Sequence, residues 1–140
     1  MTRTHVTVVN VNFGDCDPAG IVFYPNFFRC MDAASLNYFV AAGVPPWHRR
    51  NRDDGIVGTP VVDVHATFHA PATYGDRIEV ETSIAEWRTR SFVMRHVIRH
   101  GEAVLVDGRE VRVFARQHRD DLRRLQAVPP PADIRAACER

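Results

Sequence analysis

The sequence predicts an α+β fold, a long central helix wrapped by a curved antiparallel β-sheet. Two observations carry the prediction. Residues 25–42 place Phe27, Phe28, Met31, Ala34, Leu36, Phe39 and Val40 over much of one helical surface, and a helix apolar nearly all round is buried in the middle of something. The chain beyond it alternates apolar and polar residues in several runs, the period of half-buried strands. One strand, one helix and then antiparallel strands form a sheet that buries one face by curling around the helix. Its open edge and remaining face then call for cover by further subunits.

Each element has its own signal. Residues 6–13 read as the first strand, with Val9, Val11 and Phe13 on one face and Asn10 and Asn12 on the other. The corner Gly14-Asp15-Cys16-Asp17-Pro18-Ala19-Gly20 follows. Pro25-Asn26 opens the helix, where a missing N–H costs nothing, and Gly43 closes it. After Val44-Pro45-Pro46-Trp47, residues 48–54 are basic and read as a loop. Val62, Val64, Ala66 and Phe68 alternate with Asp63, His65, Thr67 and His69. Beyond a turn at Tyr74-Gly75-Asp76, Ile78, Val80, Thr82 and Ile84 alternate with Glu79, Glu81 and Ser83. Residues 92–99 form a third run, His100-Gly101-Glu102 a tight turn, and residues 103–115 a fourth run. With no repeat and no interior linker, residues 1–140 read as one domain. Residues 116–140, containing Pro129-Pro130-Pro131, are expected to be a peripheral tail.

Composition excludes several classes. The 140 residues are 45% hydrophobic and 25% charged, as in a soluble globular domain. The net charge of +1 argues against a polyanion binder, so no nucleic-acid partner is expected. No apolar run approaches the roughly 20 residues of a membrane span, and the N-terminus lacks a signal-peptide pattern. Three cysteines, Cys16, Cys30 and Cys138, without CxxC spacing fit a reducing cytoplasm. His96 and His100 have no neighbouring ligands in a metal-binding pattern, so no metal is expected.

Five places could carry chemistry. Asp17 is pushed toward an extended conformation by Pro18 and lies just before a helix N-terminus, where free N–H groups and the dipole favour negative charge. It could attack a carbonyl or hold a water for attack, with those N–H groups stabilising the oxyanion. Equally, Asp15 and Asp17 could simply cap the Ala19-Gly20 turn. Asp32 shares a helical face with Phe28 and Leu36; it could accept a hydrogen bond from a ligand, or pair with Arg29 one turn back. Trp47, presented by two prolines, could line a pocket or cap the helix end. Arg88, Arg90 and Ser91, with Thr89 between the arginines, suit phosphate groups, or form a solvated loop. Cys16 has no histidine near it in sequence and reads as a small hydrophobe rather than a nucleophile.

The stretch FGDCDPAGIVFYPNFFRCMDAASLNYF, with GVPPW, GIVGTPVV, EWRTRSFVMRH and EVRVFA, resembles the hotdog-fold acyl-CoA thioesterases of the 4-hydroxybenzoyl-CoA branch, over about residues 6–115. The resemblance implies a helix wrapped by an antiparallel sheet, in dimers that commonly pair into tetramers, with sites at the subunit interface. It implies that Asp17 is the catalytic carboxylate and the Tyr24 backbone N–H the oxyanion donor, with Asp15 structural. Asp32 would receive the ring hydroxyl, helped by Trp47, with Thr59 near the acyl group. Arg88, Arg90 and Ser91 would meet the CoA phosphates. Water would be the second substrate, with no cofactor. The chain departs at Thr89, where the reference enzyme of the branch has a cation. It departs also at Phe23, Phe27, Phe28 and Cys30, in place of Trp, Tyr, His and Trp. These changes bear on the acyl group, so benzoyl, aminobenzoyl, another hydroxybenzoyl or phenylacetyl are alternatives. A non-catalytic acyl-CoA sensor would not need Asp17. A hotdog hydratase would want a histidine beside it.

Overall fold

The computed structural model describes residues 2–140. Its elements run β1 (Thr4–Asn10), a 3₁₀ turn (Phe13–Asp15), α1 (Pro25–Ala41), α2 (Trp47–Asp54), β2 (Ile56–Gly58), β3 (Val61–Phe68), β4 (Arg77–Trp87), β5 (Phe92–His100), β6 (Ala103–Arg112), β7 (Phe114–Gln117), β8 (Leu125–Val128) and α3 (Ala132–Cys138). Five strands pair antiparallel in the order β1-β4-β5-β6-β3, and β2-β7-β8 form a smaller sheet. The helix-on-sheet architecture expected from the sequence is present.

The period-two pattern decides which face of the large sheet meets α1. Ile78, Val80, Thr82 and Ile84 of β4 are buried, while Glu79, Glu81 and Ser83 are partly exposed. Two apolar clusters result. Phe27, Met31 and Ala34 from the first half of α1 pack on Val11, Ile78, Val80, Ile98 and Val106. Tyr38 and Phe39 from its second half pack on Ile84, Phe92, Met94 and Phe114. Between them, Ser35 faces a seam of buried polar residues on β4, β5 and β6.

α1 crosses β6 closely at Gly108. A Cβ there would lie 2.6 Å from Met31 Cε and 2.8 Å from Met31 Sδ. Met31 is fully buried and has little room to retreat. Gly108→Val is therefore expected to destabilise the fold by about 1–3 kcal/mol. An unchanged urea midpoint would contradict this contact.

Several expectations are corrected. The first strand ends at Asn10 rather than residue 13, because Val11 already bonds to the turn at Gly75 and Asp76. Residues 48–54 are helical, not a loop: the carbonyl of Pro46 accepts from Arg49 and Arg50, and Gly55 closes the helix at φ +81°. The fourth run is two strands, broken at Val113, whose N–H turns away to Pro60. The tail is not peripheral throughout. Ile134 and Cys138 of α3 enter the second cluster on one helical face, and Arg50 holds Asp133 at 2.6 and 3.0 Å. α1 is not enclosed on all sides, since one curved sheet covers one face only, leaving Leu36 and Val40 48% and 60% exposed. No helix among the described residues is long and apolar enough to cross a membrane.

Candidate active site

The Asp17 corner is an Asx-type turn. Asp17 Oδ1 accepts the Ala19 N–H at 2.9 Å, and the Gly20 N–H donates to the Asp17 carbonyl at 2.9 Å. Gly20 sits at φ +81°, which glycine adopts without cost. The chain then folds back on itself. The Asp17 N–H donates to Ile21 O and the Phe23 N–H to Asp15 O, both at 2.9 Å. Asn26 Nδ2, in the first turn of α1, donates to the same Asp15 carbonyl at 2.8 Å. Asp15 is structural, its carboxylate taking the Asn12 N–H at 2.8 Å. Asp17 thus does close the turn, but with one oxygen. Among the described residues nothing donates to the other.

These bonds lay the Asp17 corner against the start of α1. Pro25 there has no N–H, the Asn26 N–H donates to Phe23 O, and the Phe27 N–H to Tyr24 O. Among the described residues nothing accepts the Tyr24 N–H. An open donor at the positive end of a helix is suited to a developing oxyanion. The Tyr24 ring is more than half exposed and meets Phe28 and Phe68 edge-on.

A second group gathers about two turns further along α1. Asp32, Leu36, Trp47, Thr59, Val61 and Arg112 line a cavity of about 330 Å³. The Trp47 ring is wedged against Phe39 and Phe114, with centroids 5.8 and 6.4 Å away. It therefore lines the pocket and belongs to the core at once. Asp32 does not pair with Arg29. Its Oδ1 accepts from Arg112 Nη2 at 2.8 Å, while its side chain remains 72% exposed.

Arg112 joins this cavity to the polar seam. Its Nε and Nη2 donate to the two oxygens of Glu110 at 3.1 and 2.8 Å, and Nη1 donates to the Thr59 carbonyl at 2.6 Å. Glu110 Oε1 also accepts from Ser35 Oγ at 2.7 Å and from His96 Nε2 at 2.5 Å. Thr82 Oγ1 lies 2.8 Å from His96 Nδ1. Burial pushes the Glu110 carboxyl up, but the hydrogen bonds and charges of His96 and Arg112 outweigh it and hold it at about 2. Burial likewise opposes the Arg112 charge, and its bonds to Glu110 and Asp32 outweigh that, raising it above the ordinary arginine value.

Arg88, Arg90 and Ser91 lie in the turn between β4 and β5. The Arg88 N–H closes the turn on Ser91 O at 2.9 Å, and its guanidinium reaches Glu86 at 3.1 Å. The structure thus lays the Asp17 corner against the start of α1, and lines one cavity with Asp32, Trp47 and Thr59. Among the described residues, Asp17, Tyr24, Arg88, Arg90 and Ser91 do not line the cavity of Asp32, Trp47 and Thr59. Tyr24 and Asp32 are eight helical positions apart, roughly 12 Å along the axis. Sequence reasoning missed Arg112, Glu110 and His96. The available signal was Gly108, Glu110 and Arg112 at period two, which puts two charges on the face that Val106 buries.

This fold and this corner define a class. The chain belongs to the thioesterase-like superfamily, whose family model matches residues 11–138. It is 46% identical over 143 aligned residues to 4-hydroxybenzoyl-CoA thioesterase of Pseudomonas sp. (strain CBS-3), with 99% of each chain covered. Among solved structures, it is similar to the crystal structure of 4-hydroxybenzoyl CoA thioesterase mutant D17N complexed with 4-hydroxybenzoyl CoA. The TM-score is 0.90 at 44% identity, covering 97% of this chain and 99% of that one. A gentisyl-coenzyme A thioesterase matches with a TM-score of 0.79 at 32% identity, covering 97% of this chain and 100% of that one. The fold is the hotdog fold of these thioesterases.

Proposed function

We propose that this protein hydrolyses an aromatic acyl-CoA, 4-hydroxybenzoyl-CoA first, to the free acid and CoA, with water as second substrate and no cofactor or metal. The observation that carries the chemistry is an oriented carboxylate, Asp17, in a corner folded against the start of α1, where the Tyr24 N–H is left open. The free oxygen of Asp17 attacks the thioester carbon, or takes a proton from a water that does so. In both routes the carbonyl oxygen becomes an oxyanion, stabilised by the Tyr24 N–H and the dipole of α1. The C–S bond then breaks and CoA leaves as a thiolate, which ends as the thiol with the proton given up by the attacking water. In the first route, water cleaves the resulting anhydride and restores Asp17.

Asp32 is the acceptor for the ring hydroxyl, with Trp47 and Thr59 shaping the cavity around the ring. Arg88, Arg90 and Ser91 meet the CoA phosphates, Arg88 by exchanging Glu86 for phosphate. The parts lie apart on one protomer, so the working site is composite. β3 is an edge strand with nearly every residue exposed, and Val62 is 60% exposed. Pairing of two copies along such an edge removes it. A second interface over Leu36 and Val40 would complete a tetramer. The protein works in the cytoplasm, where its three free cysteines stay reduced.

Steady-state release of CoA thiol from 4-hydroxybenzoyl-CoA and from benzoyl-CoA tests this reading. A preference of at least about tenfold for the hydroxylated ring is expected, since benzoyl leaves the acceptor unpaired. Equal rates would keep the thioesterase and discard the hydroxyl reader. Release from neither would sink the reading.

A further inference from the structure

We infer that Arg112 is a specificity-positioning residue: it engages Oδ1 of the Asp32 carboxylate at the cavity that Asp32 lines and leaves the other oxygen without a partner among the described residues, so that the pocket selects rings bearing a hydrogen-bond donor. The inference rests on the thioesterase reading above and names the device that makes its acyl pocket selective.

The geometry argues for this in three steps. First, Asp32 is a mostly exposed side chain on a helix, and such a carboxylate samples several rotamers unless something holds it. The contact that holds it is Arg112 Nη2 at 2.8 Å. Second, Arg112 is itself immobile. Its side chain is 5% exposed, and its guanidinium makes four hydrogen bonds, to Glu110 twice, to Thr59 O and to Asp32. The Thr59 bond matters here, because Thr59 lines the same cavity, so one planar group sets both the acceptor and the wall. Third, Glu110 is anchored from behind by Ser35 and His96, and His96 by Thr82. The polar seam between the two apolar clusters thus ends at the acyl cavity.

The chemical consequence is a one-sided preference. An ionised carboxylate only accepts hydrogen bonds. A ring hydroxyl or amino group can donate to its free oxygen. An unsubstituted ring leaves that oxygen without a partner, and an anionic substituent meets a like charge.

The test compares kcat/KM for 4-hydroxybenzoyl-CoA and benzoyl-CoA in the wild type, Arg112→Lys, Asp32→Asn and the combined variant. Lysine keeps the charge but cannot hold three partners in one plane. Should Arg112→Lys fail to fold, Glu110→Gln with Arg112→Gln removes both buried charges together and leaves none unpaired. We expect either Arg112 variant to lose about tenfold or more of the hydroxyl preference, kcat/KM falling much further for the hydroxylated substrate than for benzoyl-CoA. Adding Asp32→Asn should then change the preference no further, because the two residues act through one interaction. Parallel loss on both substrates, or a preference that survives in the Arg112 variant, would overturn the inference and leave the thioesterase reading intact. A wild type that cleaves both rings equally would also overturn it. A wild type that cleaves neither would overturn the reading beneath it.

Discussion

Asp17→Asn is expected to lower kcat by roughly 10²–10⁴-fold, the range for losing a positioned acid–base group, while substrate binding changes little. Asparagine can still accept the Ala19 N–H through its amide oxygen, so the turn and the start of α1 keep their geometry. What disappears is the negative oxygen, which neither attacks carbon nor accepts a proton from water. Turnover by CoA thiol release and substrate affinity from single-turnover kinetics measure the two effects separately. Turnover within about fivefold of wild type would remove Asp17 from the chemistry. Mass spectrometry of rapidly quenched wild-type enzyme then separates the routes. An acyl adduct on Asp17 is expected from direct attack and is excluded by the general-base route.

The second large effect is on stability. Glu110→Ala is expected to cost about 3–5 kcal/mol, because it takes from the buried Arg112 charge its one buried counter-charge, leaving only the exposed Asp32, and removes the acceptor of His96 and Ser35. The exposed Arg77–Glu79 pair, with the same charges at 3.1 Å, should contribute less than about 1 kcal/mol. Denaturant unfolding of both alanine variants makes the comparison. The seam also predicts an acid response. The folded-state pKa of Glu110, about 2, lies below the ordinary 4.5. Its contribution is therefore complete above pH 4.5 and is lost as pH falls toward 2. Wild type should lose stability across that window, and Glu110→Gln should lose less of it. Identical acid profiles would show that Glu110 is not the titrating group.

The corner could be read from sequence because its interactions are local. Asp17, Pro18, Ala19 and Gly20 are consecutive, and the bond from Ala19 to Asp17 spans two residues. Only the fold-back of residues 21–23 shows that the Tyr24 N–H is left open. Asp32 was legible as a carboxylate on an apolar face, but its partner was not. Arg29, one turn away, was the natural candidate, and the actual partner lies 80 residues along the chain. The tail misled for a related reason. Three prolines read as a break, while the burial of Ile134 and Cys138 depends on a cleft that α1, β5 and β7 build elsewhere.

By itself, then, the sequence determined the helix, the five strands of the large sheet and the carboxylate corner. These follow from periodicity, from proline and glycine, and from contacts a few residues long. The tertiary structure decided the rest: which charge meets Asp32, where the buried seam runs, how α3 closes the core, and that the Asp17 corner does not line the cavity at Asp32. Such pairings join residues tens of positions apart. They are set by strand register and by how closely α1 can approach Gly108, which local chain chemistry does not encode.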